Sequence, residues 1–240
     1  MFVGREDVLD KLREIFIHGA DDELMSRRAC LLWGKEGIGK TQICLKFIEE
    51  LCGSLPHVFW VDASTEERIT TSLRGIASIP AAQESCPDDS IESVLQWLAG
   101  FQEEWLIVFD KADETPVYVV EKFIPPGNRG NILITNRKRS IGRIISFQNV
   151  IEIKEMEEAD AITLLLRASH LDPSPEYDEV AKSIVTELGC VPFAVDQAGA
   201  YIESGKCSID KFLHQFTLHR ETLMSDGTVT GASNTELGTL

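Results

Sequence analysis

Gly34-Lys35-Glu36-Gly37-Ile38-Gly39-Lys40-Thr41 stands between the apolar run Ala29-Cys30-Leu31-Leu32-Trp33 and the helical pattern Gln42 to Leu51. Glycines at both ends of this span, followed by lysine and threonine, form a phosphate-binding loop set between a strand and a helix. A polyphosphate is held mainly by backbone N–H groups that converge from a tight loop and a helix N-terminus. Gly34, Gly37 and Gly39 permit that approach, and Ile38 and Gln42 are counted with them as nucleotide-contacting positions. Lys40 is placed to put a point charge on the outer phosphates, and the Thr41 hydroxyl to ligate the accompanying Mg2+. The bland alternative is a glycine turn that only opens a helix.

The apolar runs next along the chain extend this start into a fold. Val58–Val61, Leu106–Phe109, Ile132–Ile134 and Val150–Ile153 are of strand length, and stretches of helical periodicity separate them. Strands alternating with helices predict an α/β fold, a parallel sheet covered on both faces. Ser64-Thr65-Glu66-Glu67 has the serine-to-glutamate spacing of a capping box for a helix reaching about Ser78. Pro80 to Asp89 reads as a polar loop. Ser90 to Phe101 reads as a helix with Ile91, Val94, Leu95 and Leu98 on one stripe. Pro125-Pro126-Gly127-Asn128 is a turn before the fourth strand.

After Ile153 strand-like runs stop. Helical patterns follow at Glu157–Ser169, Glu176–Leu188, Pro192–Ser204 and Ile209 to about Leu223. The expected division is a nucleotide-binding domain over 1–154, a small all-helical subdomain over 155–224 and a linker or frayed tail, rich in Gly, Ser, Thr and Asn, over 225–240.

Composition narrows the partners. The 240 residues carry 39 acidic against 23 basic side chains, a formal charge of −16, which argues against nucleic acid or an anionic membrane as the main partner. An anion site must therefore be locally positive, and Lys35, Lys40, Arg137, Lys138 and Arg139 are the basic residues near the motifs. The six cysteines, Cys30, Cys44, Cys52, Cys86, Cys190 and Cys207, form no C-x-x-C pair and read as reduced small hydrophobes. His18, His57, His170, His214 and His219 form no metal or nucleophile set and read as surface or loop residues. Trp33, Trp60, Trp97 and Trp105 read as packing residues. With no signal-peptide pattern at the N-terminus and no span of bilayer length, the expected compartment is cytoplasmic.

Two further strands end in polar residues. Trp105-Leu106-Ile107-Val108-Phe109-Asp110 delivers a carboxylate to its C-terminal edge, where an aspartate can orient Mg2+ or its waters. Asn131-Ile132-Leu133-Ile134-Thr135-Asn136-Arg137 delivers a polar pair and an arginine to the same edge, where ligands of open α/β sheets sit. An arginine there can report a γ-phosphate. Read alone, Asp110 would only begin a loop, Arg137 would be a solvated member of its basic cluster, and Gly189-Cys190-Val191-Pro192-Phe193 would be a turn between helices.

Together and in this order, these motifs resemble the NB-ARC nucleotide-binding module of STAND-class P-loop NTPases, found in plant and fungal NOD-like receptors of innate immunity and in animal apoptosome proteins. The matching segments are Val3-Gly4-Arg5-Glu6, Gly34 to Thr41, Leu106 to Asp110, Thr135-Asn136-Arg137 and Gly189 to Phe193. Val58-Phe59-Trp60-Val61-Asp62 and Asp196 to Tyr201 look particularly like fungal members.

The resemblance implies a five-stranded sheet in the order 5-1-4-3-2. It implies Val3 and Arg5 at the adenine and ribose, Pro192 on the base, Lys40 and Thr41 on phosphate and magnesium, Asp110 on the metal and Arg137 on the γ-phosphate. The implied ligands are ATP or ADP with Mg2+. In a full-length protein the implied partners are an effector domain and a repeat domain in cis, with homo-oligomerisation on activation.

Three departures qualify it. Lys111 follows Asp110 where the family often has a second acid to polarise water. Asp113 is the nearest replacement, with Glu114 beside it, so hydrolysis is expected to be slow or absent. Glu36 puts a carboxylate in the middle of the phosphate loop. The chain also starts with Met1 at the first motif and stops near the expected start of a winged-helix subdomain, the pattern of an isolated module or fragment. The leading expectation is an ATP/ADP-binding switch. A P-loop ATPase with steady turnover and a nucleotide-free scaffold are the alternatives.

Overall fold

The computed structural model describes residues 2–17, 27–51, 57–79, 82, 90–139 and 149–225. Most of the loop read over Pro80 to Asp89, the tail beyond Ser225, and Met1, His18, Cys52, Cys86 and the His219 side chain lie outside the described residues. The chain divides into a sheet unit, Arg5–Glu36 with Lys40–Ile153, and a helical unit, Lys154–Leu240 with Met1–Gly4 and Gly37–Gly39.

In the sheet unit the strands are β1 (Ala29–Trp33), β2 (His57–Asp62), β3 (Trp105–Asp110), β4 (Asn131–Asn136) and β5 (Val150–Glu152). All pair in parallel, in the order β2-β3-β4-β1-β5. This is the expected 5-1-4-3-2 order read from the other edge. Every residue of β3 and β4 is buried, as an interior parallel strand covered on both faces requires. The covering helices are α1 (Glu6–Phe16), α2 (Lys40–Glu50), α3 (Glu66–Ala77), α4 (Ile91–Gly100) and the short α5 (Val117–Lys122).

Two of these helices are absent from the sequence expectations. Val8, Leu9, Leu12 and Phe16 do lie on one buried face of α1. The six residues of α5 are too few for a periodicity to register.

The capping expectation for α3 needs correction. Thr65, not Ser64, is the N-cap, and its hydroxyl accepts from Arg68 N. The Ser64 hydroxyl is consumed by Asp62 Oδ1, to which it donates at 2.6 Å, and Ser64 N donates to the same oxygen at 3.0 Å. The next hydroxyl therefore takes the cap. Ser90 caps α4 through Ser93 N, with Val94, Leu95 and Leu98 buried.

The helical unit contains α6 (Glu158–Ala168), α7 (Pro175–Glu187), α8 (Pro192–Glu203) and α9 (Ile209–Ser225), each within about two residues of its expected bounds. Ser174 caps α7 with Pro175 at the first helical position, where the missing N–H costs nothing. Leu165, Ile184, Val185 and Val195 are fully buried at its centre, and Val3 packs against this cluster.

Candidate functional site

Parallel pairing aligns the strand ends that matter. Asp62 lies opposite Asp110 on β2 and β3, and Phe109 opposite Ile134 on β3 and β4. Trp33, the residue before the phosphate loop, lies opposite Asn136. The loop, Asp110 and Thr135-Asn136-Arg137 therefore leave the same edge of the sheet.

At that edge Asp110 is 3% exposed. A carboxylate so far from water needs donors, and among the described residues it has two. Thr41 Oγ1 lies 2.9 Å from Asp110 Oδ1 and 3.0 Å from Oδ2. Thr135 Oγ1 donates to Asp110 Oδ1 at 2.6 Å and accepts from Lys111 N at 2.8 Å. The phosphate-loop threonine and the strand-end aspartate thus meet directly. Thr135, which sequence reasoning took only as part of a polar pair, sets the rotamer of Asp110. The signal for that role was a hydroxyl one residue past Ile134, in register with Asp110.

Asn136 ties the neighbouring turns together. Its backbone carbonyl accepts from Gly34 N at 3.2 Å, its amide donates to Ala112 O, and its Oδ1 accepts from Lys138 N at 2.6 Å. Lys111 adopts a positive φ of 62° in this turn and is exposed.

The Lys40 side chain is buried, and its Nζ donates to Gly34 O at 2.8 Å and Lys35 O at 2.9 Å. Burial pushes its pKa down, while Asp113, Asp110 and Glu36 push it up and Arg137 adds to the lowering. The loop lysine is therefore a cation held inside the turn by carbonyls and surrounded by opposing charges.

Arg137 lies in a collar of carboxylates. Its guanidinium meets Glu36 at 2.9 Å and Asp113 and Glu114 at 3.5 Å each, and its backbone N donates to Asp113 Oδ1. The Asp113 carboxylate, weighed above as a substitute base, is thus engaged with Arg137. Gln42 is exposed in the first turn of α2.

Within the helical unit, Gly37 and Gly39 have φ of 72° and 94°, and a Cβ on Gly37 would stand 3.1 Å from Phe193 Cβ. Gly37 O accepts from Phe193 N at 3.1 Å, and the Pro192 ring lies 4.0 Å from where a Gly39 Cβ would be. The tip of the loop and the first turn of α8 are in contact. Ile38 is 1% exposed. Val3 is half-buried against the helical core. In the sheet unit, Arg5 opens α1 with φ of 70°, and its carbonyl accepts from Val8 N and Leu9 N.

The oxygen set of Thr41 and Asp110 suits a hard cation such as Mg2+, which takes oxygen ligands. Lys40 and the loop N–H groups suit polyphosphate.

The sheet order and the strand-loop-helix geometry are those of a P-loop NTPase fold. No protein-family model matches the chain. The chain is similar to a nucleotide-binding leucine-rich repeat (NLR)-like protein from Hyaloscypha variabilis, with 26% identity over 90% of this chain and 23% of that protein. The chain thus spans about a quarter of that relative's length. In structure it is similar to Cdc6p from Pyrobaculum aerophilum (TM-score 0.63, 16% identity, 85% of this chain and 65% of that one). It is also similar to a RuvB mutant from Thermotoga maritima (TM-score 0.54, 14% identity, 90% and 71%). The first match bears out the resemblance to NOD-like receptor modules read from the motifs, and the other two bear out the fold.

Among the described residues no helix is long and apolar enough to cross a membrane.

Proposed function

We propose that the chain is an ATP/ADP-binding switch module of a NOD-like-receptor type protein, with residues 1–154 as its nucleotide-binding domain and 155–224 as its helical subdomain. The observation that carries this reading is the direct hydrogen bond between Thr41 and Asp110, which brings together two oxygen groups of the kind a hard cation takes. Lys40 and the loop N–H groups take the phosphates, and Thr41 and Asp110 take Mg2+. Arg137 takes the γ-phosphate, and Val3, Arg5 and Pro192 take the base and ribose. The cation supplies charge neutralisation along the phosphate chain when bound, while Thr135 holds Asp110 and Asn136 holds the turns around it.

Slow turnover is part of this reading. Lys111 cannot accept a proton from water, and Asp113 is engaged by Arg137. Exchange of ADP for ATP, rather than hydrolysis, then changes which surfaces the full protein exposes, and effector output and oligomerisation follow from that change.

Thermal unfolding with ADP or ATP and Mg2+ tests the reading. A ligand at about a hundred times its Kd adds about 2.7 kcal/mol, which is several degrees of Tm. Absence of any shift with either nucleotide at millimolar concentration contradicts it. A turnover rate above roughly one per second favours an ordinary ATPase instead.

A further inference from the structure

Arg137 is the residue most crowded by opposite charge among those at the sheet edge. Each of its guanidinium nitrogens faces a different carboxylate: Nη1 faces Glu36, Nε faces Asp113 and Nη2 faces Glu114. The three partners are not equivalent. The Asp113 side chain is 17% exposed and also accepts from the Arg137 backbone, so it anchors the residue. Glu114 is 78% exposed and sits at 3.5 Å. Glu36 is 61% exposed yet makes the shortest contact with the guanidinium, 2.9 Å, and it belongs to the phosphate loop itself, 101 residues away in sequence.

A guanidinium offers a planar fork of donors, and each edge serves one acceptor well. The edge that Glu36 holds is the one turned toward the loop that receives phosphate. A terminal phosphoryl group carries more charge than a carboxylate and binds the same fork, so the two compete for it. A diphosphate, which lacks that group, leaves the pair undisturbed.

We propose that Glu36 is a specificity determinant of this site, a carboxylate that occupies Arg137 in place of the γ-phosphate and so biases the loop toward nucleoside diphosphate over triphosphate. The inference rests on the nucleotide-binding reading above. It gives the pair a defined exchange: Arg137 leaves Glu36 for the third phosphate, Asp113 keeps its hold on the arginine, and Glu36 turns to solvent. Since Glu36 is exposed, its release carries little desolvation cost, and the bias it imposes is that of a surface ion pair.

The test is a double-mutant cycle on the whole chain, with the parent, Glu36→Gln, Arg137→Ala and the double variant. Each is titrated calorimetrically with Mg·ADP and with the magnesium complex of a β,γ-imido ATP analogue. The expected result is that Glu36→Gln raises affinity for the analogue about threefold to fivefold more than affinity for ADP, and that this selectivity disappears in the Arg137→Ala background. Three results overturn the inference while leaving the nucleotide reading in place. These are an equal gain for both ligands, which would mark Glu36 as a general negative charge only, a selectivity gain that persists without Arg137, and no change on Glu36→Gln. Binding of neither ligand to any of the four proteins overturns the nucleotide reading and the inference with it.

Discussion

Thr135 donates its hydroxyl proton to Asp110 Oδ1 over 2.6 Å, so the aspartate that ends β3 is held from the strand beside it. The same hydroxyl accepts from Lys111 N, so it ties the aspartate and the turn after it to β4. With Thr41 on the other side, Asp110 has both donors that its burial demands. A strand-end carboxylate is thereby made into an oriented acceptor.

Replacing Thr135 by valine keeps the volume and removes both bonds. The buried Asp110 oxygen and Lys111 N–H each lose a partner, so stability should fall by about 2–4 kcal/mol, while Thr135→Ser should recover most of it. Urea denaturation measures the difference. Equal stability of Thr135→Val and the parent would mean that the hydroxyl orients nothing.

Gly199 of α8 offers a test of packing in the helical unit. Alanine at an exposed helical glycine normally stabilises by roughly 0.5–1 kcal/mol. Here a Cβ would stand 2.4 Å from Ala168 Cβ and 3.0 Å from the Ala168 carbonyl carbon on α6, and backbone cannot give way cheaply. Gly199→Ala should therefore destabilise by about 1–3 kcal/mol, read as a lowered unfolding midpoint. A raised midpoint would show that α6 and α8 do not approach this closely.

The buried thiols of β1 and α2 should be inert. Burial pushes Cys30 up from 9.0 to about 12, and burial and then the Asp110 charge push Cys44 well above its ordinary value. Iodoacetamide at pH 8 should modify the half-buried Cys190 before either of them, and Cys30 and Cys44 only after denaturation, as mass spectrometry of labelled peptides would report. The sign of the linkage follows. The folded chain keeps these protons after the unfolded chain has released them, so the associated stability is intact below about pH 9 and falls as pH rises from there toward 12. Cys30→Ala should flatten that alkaline limb.

Much of the fold is legible in the sequence because interior parallel strands are short, apolar and bounded by turns. Every strand and the helices from Glu158 onward fall where length and periodicity put them. The order of the strands is not contained in those patterns, because pairing is non-local, and it came from the resemblance. Helix α1 is missing from the expectations because its first turn overlaps a motif read for its ligand role.

The site was legible as residue types and not as partners. Lys40, Thr41 and Asp110 are readable from the loop and the strand end. That Glu36 turns to Arg137, 101 residues away, depends on a side-chain direction within a glycine turn, which spacing does not encode. Asp113 shows the same limit. Its position suggested a base, and its side chain is spent on Arg137.

The central claim, that this loop binds a magnesium nucleotide, is tested most directly by calorimetric titration of the chain with Mg·ADP beside Lys40→Ala, with circular dichroism to establish that both are folded. Lys40 is the buried cation of the loop and the source of its point charge. The predicted result is saturable heat for the parent, weakened at least about tenfold in Lys40→Ala, a loss of 1.4 kcal/mol or more. No saturable heat from the parent, or equal affinity in both proteins, would contradict it.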